Sequence, residues 1–146
     1  ARKWLAECCE NHTSCCDAGD APTRVLPNRI LDLGTHENAD EDICLLEPTA
    51  LYTGRYICLS HCWGSSGCAL KTTTRNADEH KLRIQFSDLP KTFQHAVNFT
   101  RWLGVRYLWI DALCIIQDDQ DDWCRESPTM ASVYADSCLT LSAASA

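Results

Sequence analysis

Tyr56-Ile-Cys-Leu-Ser-His-Cys-Trp-Gly64 is the stretch whose reading decides the fold. Tyr56 to Ser60 is mostly apolar and does not alternate, which predicts a strand covered on both faces rather than one with a wet side. The strand ends on His61, Cys62, Trp63 and Gly64, so its last residues reach a loop rich in chemical groups. Further along, Tyr107 to Ile110 is a second compact apolar strand closing on Asp111, and Leu139 to Ala143 reads as a third. Between the first two, Pro90 opens a helical pattern in which Phe93, Ala96, Val97, Thr100 and Leu103 share one face. Ser87 or Asp88 is the expected cap of that helix and Gly104 its stop. Between the second and third strands, Ala112 to Ile116 stays apolar. After the acidic run Asp118 to Asp122, Trp123, Met130, Val133 and Tyr134 fit the inward face of another helix, which Pro128 kinks or restarts. Strand, helix, strand, helix, strand is the order of a parallel sheet flanked by helices, an α/β fold.

Toward the N-terminus the rhythm changes. Trp4 to Cys16 lacks Pro and Gly and carries Leu5, Cys8, His12 and Cys15 at helical spacing, which predicts a short amphipathic helix. Asp17 to Thr23 reads as a loop, and Arg29 to Leu33 and Ile43 to Glu47 read as two short strands of a small antiparallel appendage. The polar stretch from Ser65 to Asp88 is too long for a plain connection and reads as a functional or mobile loop. The expected organisation is one domain over residues 1–146, with an appendage at 1–55 and an α/β core at 56–146 that stops after its third strand.

With 146 residues and 45% apolar content, the chain can bury one substantial core, to which five tryptophans contribute volume. A formal charge of -7 and a pI near 5.1, without clustered Lys or Arg, exclude a nucleic-acid or anionic-membrane surface from the expected functions. No apolar run approaches the roughly 18 residues a membrane helix needs, and no targeting segment is visible, so a cytoplasmic setting is expected. Eleven cysteines are an odd number, and Cys58, Cys62, Cys114 and Cys138 lie in or beside apolar runs. They read as reduced intracellular thiols rather than a disulfide framework.

In an open parallel sheet, ligands bind beyond the carboxyl ends of the strands. That rule brings His61, Trp63 and the Gly64 to Gly67 segment from the first strand together with Asp111, Cys114 and Gln117 from the second. Gly64 and Gly67 suit either a phosphate-approaching loop or an ordinary flexible turn. Asp111 suits a ligand hydroxyl or a helix cap. Cys114 and His61 have the composition of a thiolate pair, but Cys114 sits between Leu113 and Ile115 and reads as a buried, inert thiol. Glu126 falls near the apolar stripe, three residues after Trp123 and four before Met130. A desolvated carboxylate there suits proton transfer or stabilisation of a developing cation, unless an arginine such as Arg101, Arg106 or Arg125 pairs with it. Cys8, His12 and Cys15 are zinc-type ligands, but on one straight helix they span too much axis to surround a tetrahedral ion, so no metal is expected.

Taken in order, the Tyr56 to Gly64 strand, Leu89-Pro-Lys-Thr92, Leu103-Gly-Val-Arg-Tyr-Leu-Trp-Ile-Asp111 and Cys114-Ile-Ile-Gln-Asp118 closely resemble the blocks of the fungal heterokaryon-incompatibility (HET) domain. Asp122-Trp123, Glu126, Met130 and Tyr134-Ala135 continue the match, and Trp4, Cys8, His12, Cys15 and Leu26-Pro-Asn-Arg29 resemble the segment that often precedes them. His61 stands where Tyr is common, and Pro128 interrupts a helix that is usually continuous. The resemblance implies a cell-death effector of fungal non-self recognition that oligomerises on activation under a regulatory receptor domain or partner protein. It also implies remote similarity to TIR domains, whose sheet is flavodoxin-like and some of which cleave NAD with a glutamate. Asp122-Trp-Cys-Arg-Glu126 is similar to the tryptophan and glutamate segment of those enzymes, with the Trp-to-Glu spacing shorter by one. On that basis Glu126 is the candidate catalytic acid. Ser60, His61, Trp63, Gly64, Asp111, Cys114, Gln117 and Trp123 are candidate substrate contacts. NAD is the candidate substrate, and no cofactor is implied. The alternative is a non-enzymatic, oligomerising adaptor that triggers death by recruiting partners.

Overall fold

A computed structural model describes Lys3, Glu7, Gly67 and residues 24–34, 41–49, 52–62 and 70–143. The N-terminal helix with Cys8, His12 and Cys15, the loop before Arg24, Trp63 and Gly64 lie outside the described residues. In chain order the described strands are β1 (Arg24–Val25), β2 (Ile30–Asp32), β3 (Cys44–Leu46), β4 (Thr53–Gly54) and β5 (Tyr56–His61). They are followed by helix α1 (Ala77–Leu82), a 3₁₀ turn at Phe86–Asp88, α2 (Lys91–Trp102), β6 (Tyr107–Ile110) and the single turn α3 (Asp111–Cys114). Helix α4 (Gln120–Glu126), a 3₁₀ turn at Ser127–Thr129, α5 (Met130–Asp136) and β7 (Leu139–Ala143) complete the described chain.

The predicted apolar runs become the middle of the sheet. Tyr56, Ile57, Cys58 and Leu59 of β5 and all of β6 are buried, as strands covered on both faces must be. Strand β5 runs parallel to β6 on one side, pairing Ile57 with Leu108, and parallel to β7 on the other, pairing Leu59 with Leu141. The first strand of this parallel set therefore lies between the second and the third, the order with which flavodoxin-like doubly wound sheets begin. Even-numbered β5 residues face α5, where the Tyr56 hydroxyl donates to the Val133 carbonyl at 2.7 Å. Odd-numbered ones face α2, where the His61 ring meets Phe93 edge to face at 4.9 Å. Helices on both faces and a sheet between them make this a mixed α/β fold.

Three expectations are corrected. Strands β2 and β3 are no appendage: β2 pairs antiparallel with β6 through Leu31 and Leu108, so the sheet has five strands in the order β3-β2-β6-β5-β7 and is mixed rather than parallel. Ile30 and Leu31 are both fully buried, and two successive apolar residues satisfy both faces of a sheet interior. The small separate sheet is instead β1 with β4. The polar stretch before α2 is not a loose loop in its described part. Thr72 N–H donates to the Ala112 carbonyl at 2.9 Å, Gln117 N–H donates to the Thr72 carbonyl at 2.8 Å, and α1 leads into Ile84, which bridges to Ile43. Finally, neither Ser87 nor Asp88 caps α2. Pro90 precedes its first residue, and Asp88 closes the 3₁₀ turn before it.

Other expectations hold. Gly104 stops α2 with a φ of 80°, a left-handed conformation that suits glycine because a side chain strains there. Pro128 sits in the 3₁₀ turn that separates α4 from α5, so the helix restarts as its missing donor requires.

Candidate functional site

The strand order opens a crevice where the carboxyl ends of β5 and β7 part, and β6 delivers its own carboxyl end beside them. Because side chains alternate along a strand, the last two residues of β5 serve opposite faces of the sheet at this edge. Ser60, exposed, is on the face turned to α5. His61, with its side chain only 4% exposed, turns to the α2 side and places Nδ1 3.6 Å from Oδ1 of Asp111. Asp111 begins α3, and its Oδ1 accepts the Ala112 N–H at 2.7 Å, which fixes the carboxylate at the start of the turn. The two readings of Asp111, turn-holder and polar group at the edge, are thus compatible.

Tyr134 of α5 packs edge to face on Trp109 at 5.5 Å. Burial, and after it the negative charge of Asp111, pushes the Tyr134 phenol up to about 12, so it keeps its proton at physiological pH. Separately, between α2 and strands β5 and β7, a recess of about 390 Å³ is lined by Leu59, His95, Phe99, Leu141 and Ala143, with Thr92 and Ser142 as polar members. A largely apolar recess with a few polar groups has the make-up of a small-molecule site.

Glu126 has a different setting. It is buried together with Asp122, one helical turn earlier on the inward face of α4, while Trp123 is 43% exposed and does not face inward. The acids of α4 turn inward because an arginine waits for them. Arg29 Nη2 donates to Asp122 Oδ2 at 2.5 Å and lies 3.7 Å from Glu126 Oε1. Arg29 Nε donates to the Cys114 carbonyl at 2.7 Å, and Asn28 Nδ2 donates to Glu126 Oε1 at 3.1 Å. Asp122 further accepts the Ile116 N–H at 2.8 Å and Arg125 Nη2 at 2.7 Å. Burial alone raises the Asp122 carboxyl, but these hydrogen bonds outweigh it and hold the group below the usual carboxylate range. Since β2 is antiparallel to β6, Asn28 and Arg29 stand beside the carboxyl end of β6, on the flank away from β5.

The sheet edge therefore brings His61 and Asp111 together, carries Ser60 on the opposite face of β5, and has Tyr134 packed on Trp109 of the neighbouring β6. Cys114 is fully buried, and burial pushes its thiol up to about 12, so it is inert as a nucleophile, in keeping with the buried-thiol reading. Gln117 donates to the carbonyls of Asp111 and Ile115, both at 3.0 Å, clamping the turn after α3. With Trp123, Gln117 lines a separate recess alongside Asp118, Asp119 and Gln120. Among the described residues there is no grouping of His, Cys, Asp and Glu able to hold a metal ion, and no helix is long and apolar enough to cross a membrane.

The family profile of heterokaryon incompatibility protein (HET) matches residues 56–146, the segment that carries β5, β6, β7 and the whole of this edge. The chain belongs to the HET family. No curated protein and no solved structure matches it. Family membership supports a role in heterokaryon incompatibility, and the match covers every sheet-edge residue just described. Arg29 and Asn28 precede the matched segment, so the HET core's Asp122 and Glu126 are paired by residues from the chain in front of it. Tyr134 and Arg29 are the residues that reading for a site missed. A lone arginine at the head of an apolar strand was the available sign of the second, because a guanidinium entering a core needs a carboxylate.

Proposed function

We propose that this HET domain is a cell-death effector of heterokaryon incompatibility that binds NAD or a related nucleotide at the β5/β7 crevice and hydrolyses it there. What supports the reading is the approach of His61 and Asp111 at the carboxyl ends of β5 and β6, with a recess of about 390 Å³ between α2 and the ends of β5 and β7 that is suited to a ring. In the reaction the glycosidic C–N bond breaks, nicotinamide leaves with the bonding pair, and water adds to the ribosyl carbon and gives up a proton. Glu126 is the acid assigned to stabilise the ribosyl cation. In the paired arrangement it is bound by Arg29 and Asn28. Arg29 and Asn28 stand on the flank of β6 away from β5. Catalysis by Glu126 therefore requires both that this pairing open and that α4 bring the acid across to the β5 edge. An effector that acts only on assembly would supply that rearrangement.

The pairing of Glu126 favours a second reading. A carboxylate paired with an arginine and hydrogen-bonded by an asparagine has the setting of an architectural element, and a domain built this way can trigger death as an oligomerising adaptor without catalysis. The two readings separate in one experiment. Oligomerised protein is incubated with NAD and nicotinamide release is followed for wild type and Glu126→Gln. Release by wild type alone supports the enzyme with its assigned acid. Equal release by both removes Glu126 from the mechanism. Release by neither, with cell killing preserved in Glu126→Gln, establishes the adaptor.

A further inference from the structure

The five-stranded sheet has two lateral edges, and they are finished differently. Beside β3, Ile43 bridges to Ile84, helix α1 packs on the strand and Arg83 pairs with Asp42, so that edge is covered by backbone and by charge. At the other edge, β7 pairs with β5 alone among the described residues. Thr140 and Ser142 are exposed, and Leu139, Leu141 and Ala143 are half-buried. An edge strand invites another strand unless a charge, a proline or a bulge deters it. Cys138 to Ala143 holds no charge and no proline, and its register with β5 runs from Leu139 to Ala143 without a bulge.

The pattern of the strand says what fits beside it. The register with β5 puts Leu139, Leu141 and Ala143 on the α2 face and Thr140 and Ser142 on the α5 face. The strand is therefore symmetric about Leu141: apolar, polar, apolar, polar, apolar. When a second β7 is turned about a two-fold axis at Leu141, it lies antiparallel, with Leu141 opposite Leu141, Leu139 opposite Ala143 and Thr140 opposite Ser142. Facing residues of an antiparallel pair share one side of the sheet, so apolar side chains meet apolar ones and hydroxyls meet hydroxyls. Such self-complementarity is what a symmetric dimer requires. Charge points the same way. The chain carries 20 acids against 13 Lys and Arg, so two copies repel over most of their surface. Leu89 to Ile110, which contains α2, has no acid, and from Ser127 to Ala143 the single acid is Asp136, held by Arg24 at 3.1 Å. The β7 edge and the two helices flanking it are thus where two copies of an acidic chain can approach.

We propose that β7 is a dimerisation edge, through which two copies of this chain pair antiparallel about a two-fold axis at Leu141 and join their sheets into one. This goes beyond the nucleotide reading and holds with or without it, since an enzyme that acts on assembly and an adaptor both need an interface. Backbone hydrogen bonds supply the attraction, and the Thr140–Ser142 pairs set the register. A contact made by one short strand is small, so association is weak and depends on concentration. Because Leu141 and Ala143 also line the recess beside α2, pairing brings the recesses of the two copies together on one face.

Sedimentation velocity of the whole chain from micromolar to millimolar concentration tests the proposal. Wild type is expected to pass from monomer to dimer across that range. The double variant Thr140→Lys/Ser142→Lys changes two exposed positions, and its melting temperature is recorded to show that the fold is kept. In the pair each new lysine faces a lysine of the other copy, and dimerisation is expected to weaken about tenfold or more. Overall charge acts in the opposite direction, because two added positive charges reduce a net charge of -7. Thr140→Glu/Ser142→Glu is expected to be as weak alone, and an equimolar mixture of the two variants is expected to associate about as strongly as wild type. Hydrogen exchange of the β7 amides needs no variant, and their protection in wild type is expected to rise with concentration. A wild type that stays monomeric at millimolar concentration overturns the proposal. Protected β7 amides in such a monomer identify another part of the same chain as the cover of this edge. Dimerisation unchanged by the lysines places the interface elsewhere, and failure of the mixture to associate refutes the two-fold register.

Discussion

Replacing Asp122 by asparagine keeps the shape of the side chain and removes its charge at the centre of the Arg29 cluster. Asp122 has no exposed surface, and Arg29 has only 8% of its side chain exposed. After the change Arg29 keeps Glu126 at 3.7 Å and Glu47 at 3.9 Å, neither as close as the lost partner. The new amide also presents N–H groups where Asp122 accepted from Arg29, the Ile116 N–H and Arg125, so at least one of those donors loses its acceptor. Breaking a buried pair by removing one partner costs about 3–5 kcal/mol, and the residual acids around Arg29 argue for about 3. For a domain of this size that corresponds to a fall in melting temperature of about 10 °C. Urea and thermal unfolding at pH 7 measure it directly. The pH dependence gives an independent check. A carboxyl whose pKa is depressed in the folded state stabilises the fold at pH values above its unfolded pKa, near 4. That contribution is lost as the pH falls through the folded value. The gap between wild type and Asp122→Asn should therefore shrink below about pH 4. A variant within about 0.5 kcal/mol of wild type at pH 7 refutes the view that this cluster holds α4 to the sheet.

Two further outcomes follow from the same structure. Gly104→Ala should lose about 1–2 kcal/mol in urea unfolding although its new methyl meets nothing within 4 Å, because the cost is the left-handed φ alone; an unchanged midpoint contradicts that conformation. In native protein at pH 8, iodoacetamide should modify the exposed Cys62 and Cys124 roughly 100-fold faster than the buried Cys58 and Cys114, whose thiols burial pushes up to about 12; peptide mass mapping showing equal rates contradicts that burial.

How much of this was legible in the sequence depended on how local each signal was. Strands β5, β6 and β7 and helix α2 carry their instructions in continuous apolar runs and in Pro90 and Gly104, and they form where those signals put them. Pro128 announced its own break. Helix α1 was hidden because it is short and turns only Ala77 and His80 inward, with Leu82 left 84% exposed, so it has almost no apolar stripe to read. The place of β2 in the main sheet was hidden for another reason. Its apolar residues fit a hairpin with β3 as well as they fit the open flank of β6, and only the packed sheet chooses both. At the site, Asp111 and His61 were foreseen from the strand-end rule. The orientation of α4 was not, because Trp123 looked like the inward residue. Helix α4 turns the other way so that Asp122 can meet Arg29, a partner 93 positions earlier in the chain. Charge pairing over that separation leaves no periodic trace, and it outweighed the burial of one indole.

The proposed function requires that the β5/β7 edge receive a nucleotide. Titrating a non-hydrolysable NAD analogue into isotopically labelled protein and following backbone amide resonances tests this most directly. The largest shifts are expected on Ser60, His61, Asp111, Ala112 and Tyr134, with smaller ones along α2 at His95 and Phe99. Shifts confined to Gln117 through Trp123, or no shifts at millimolar analogue, would contradict it.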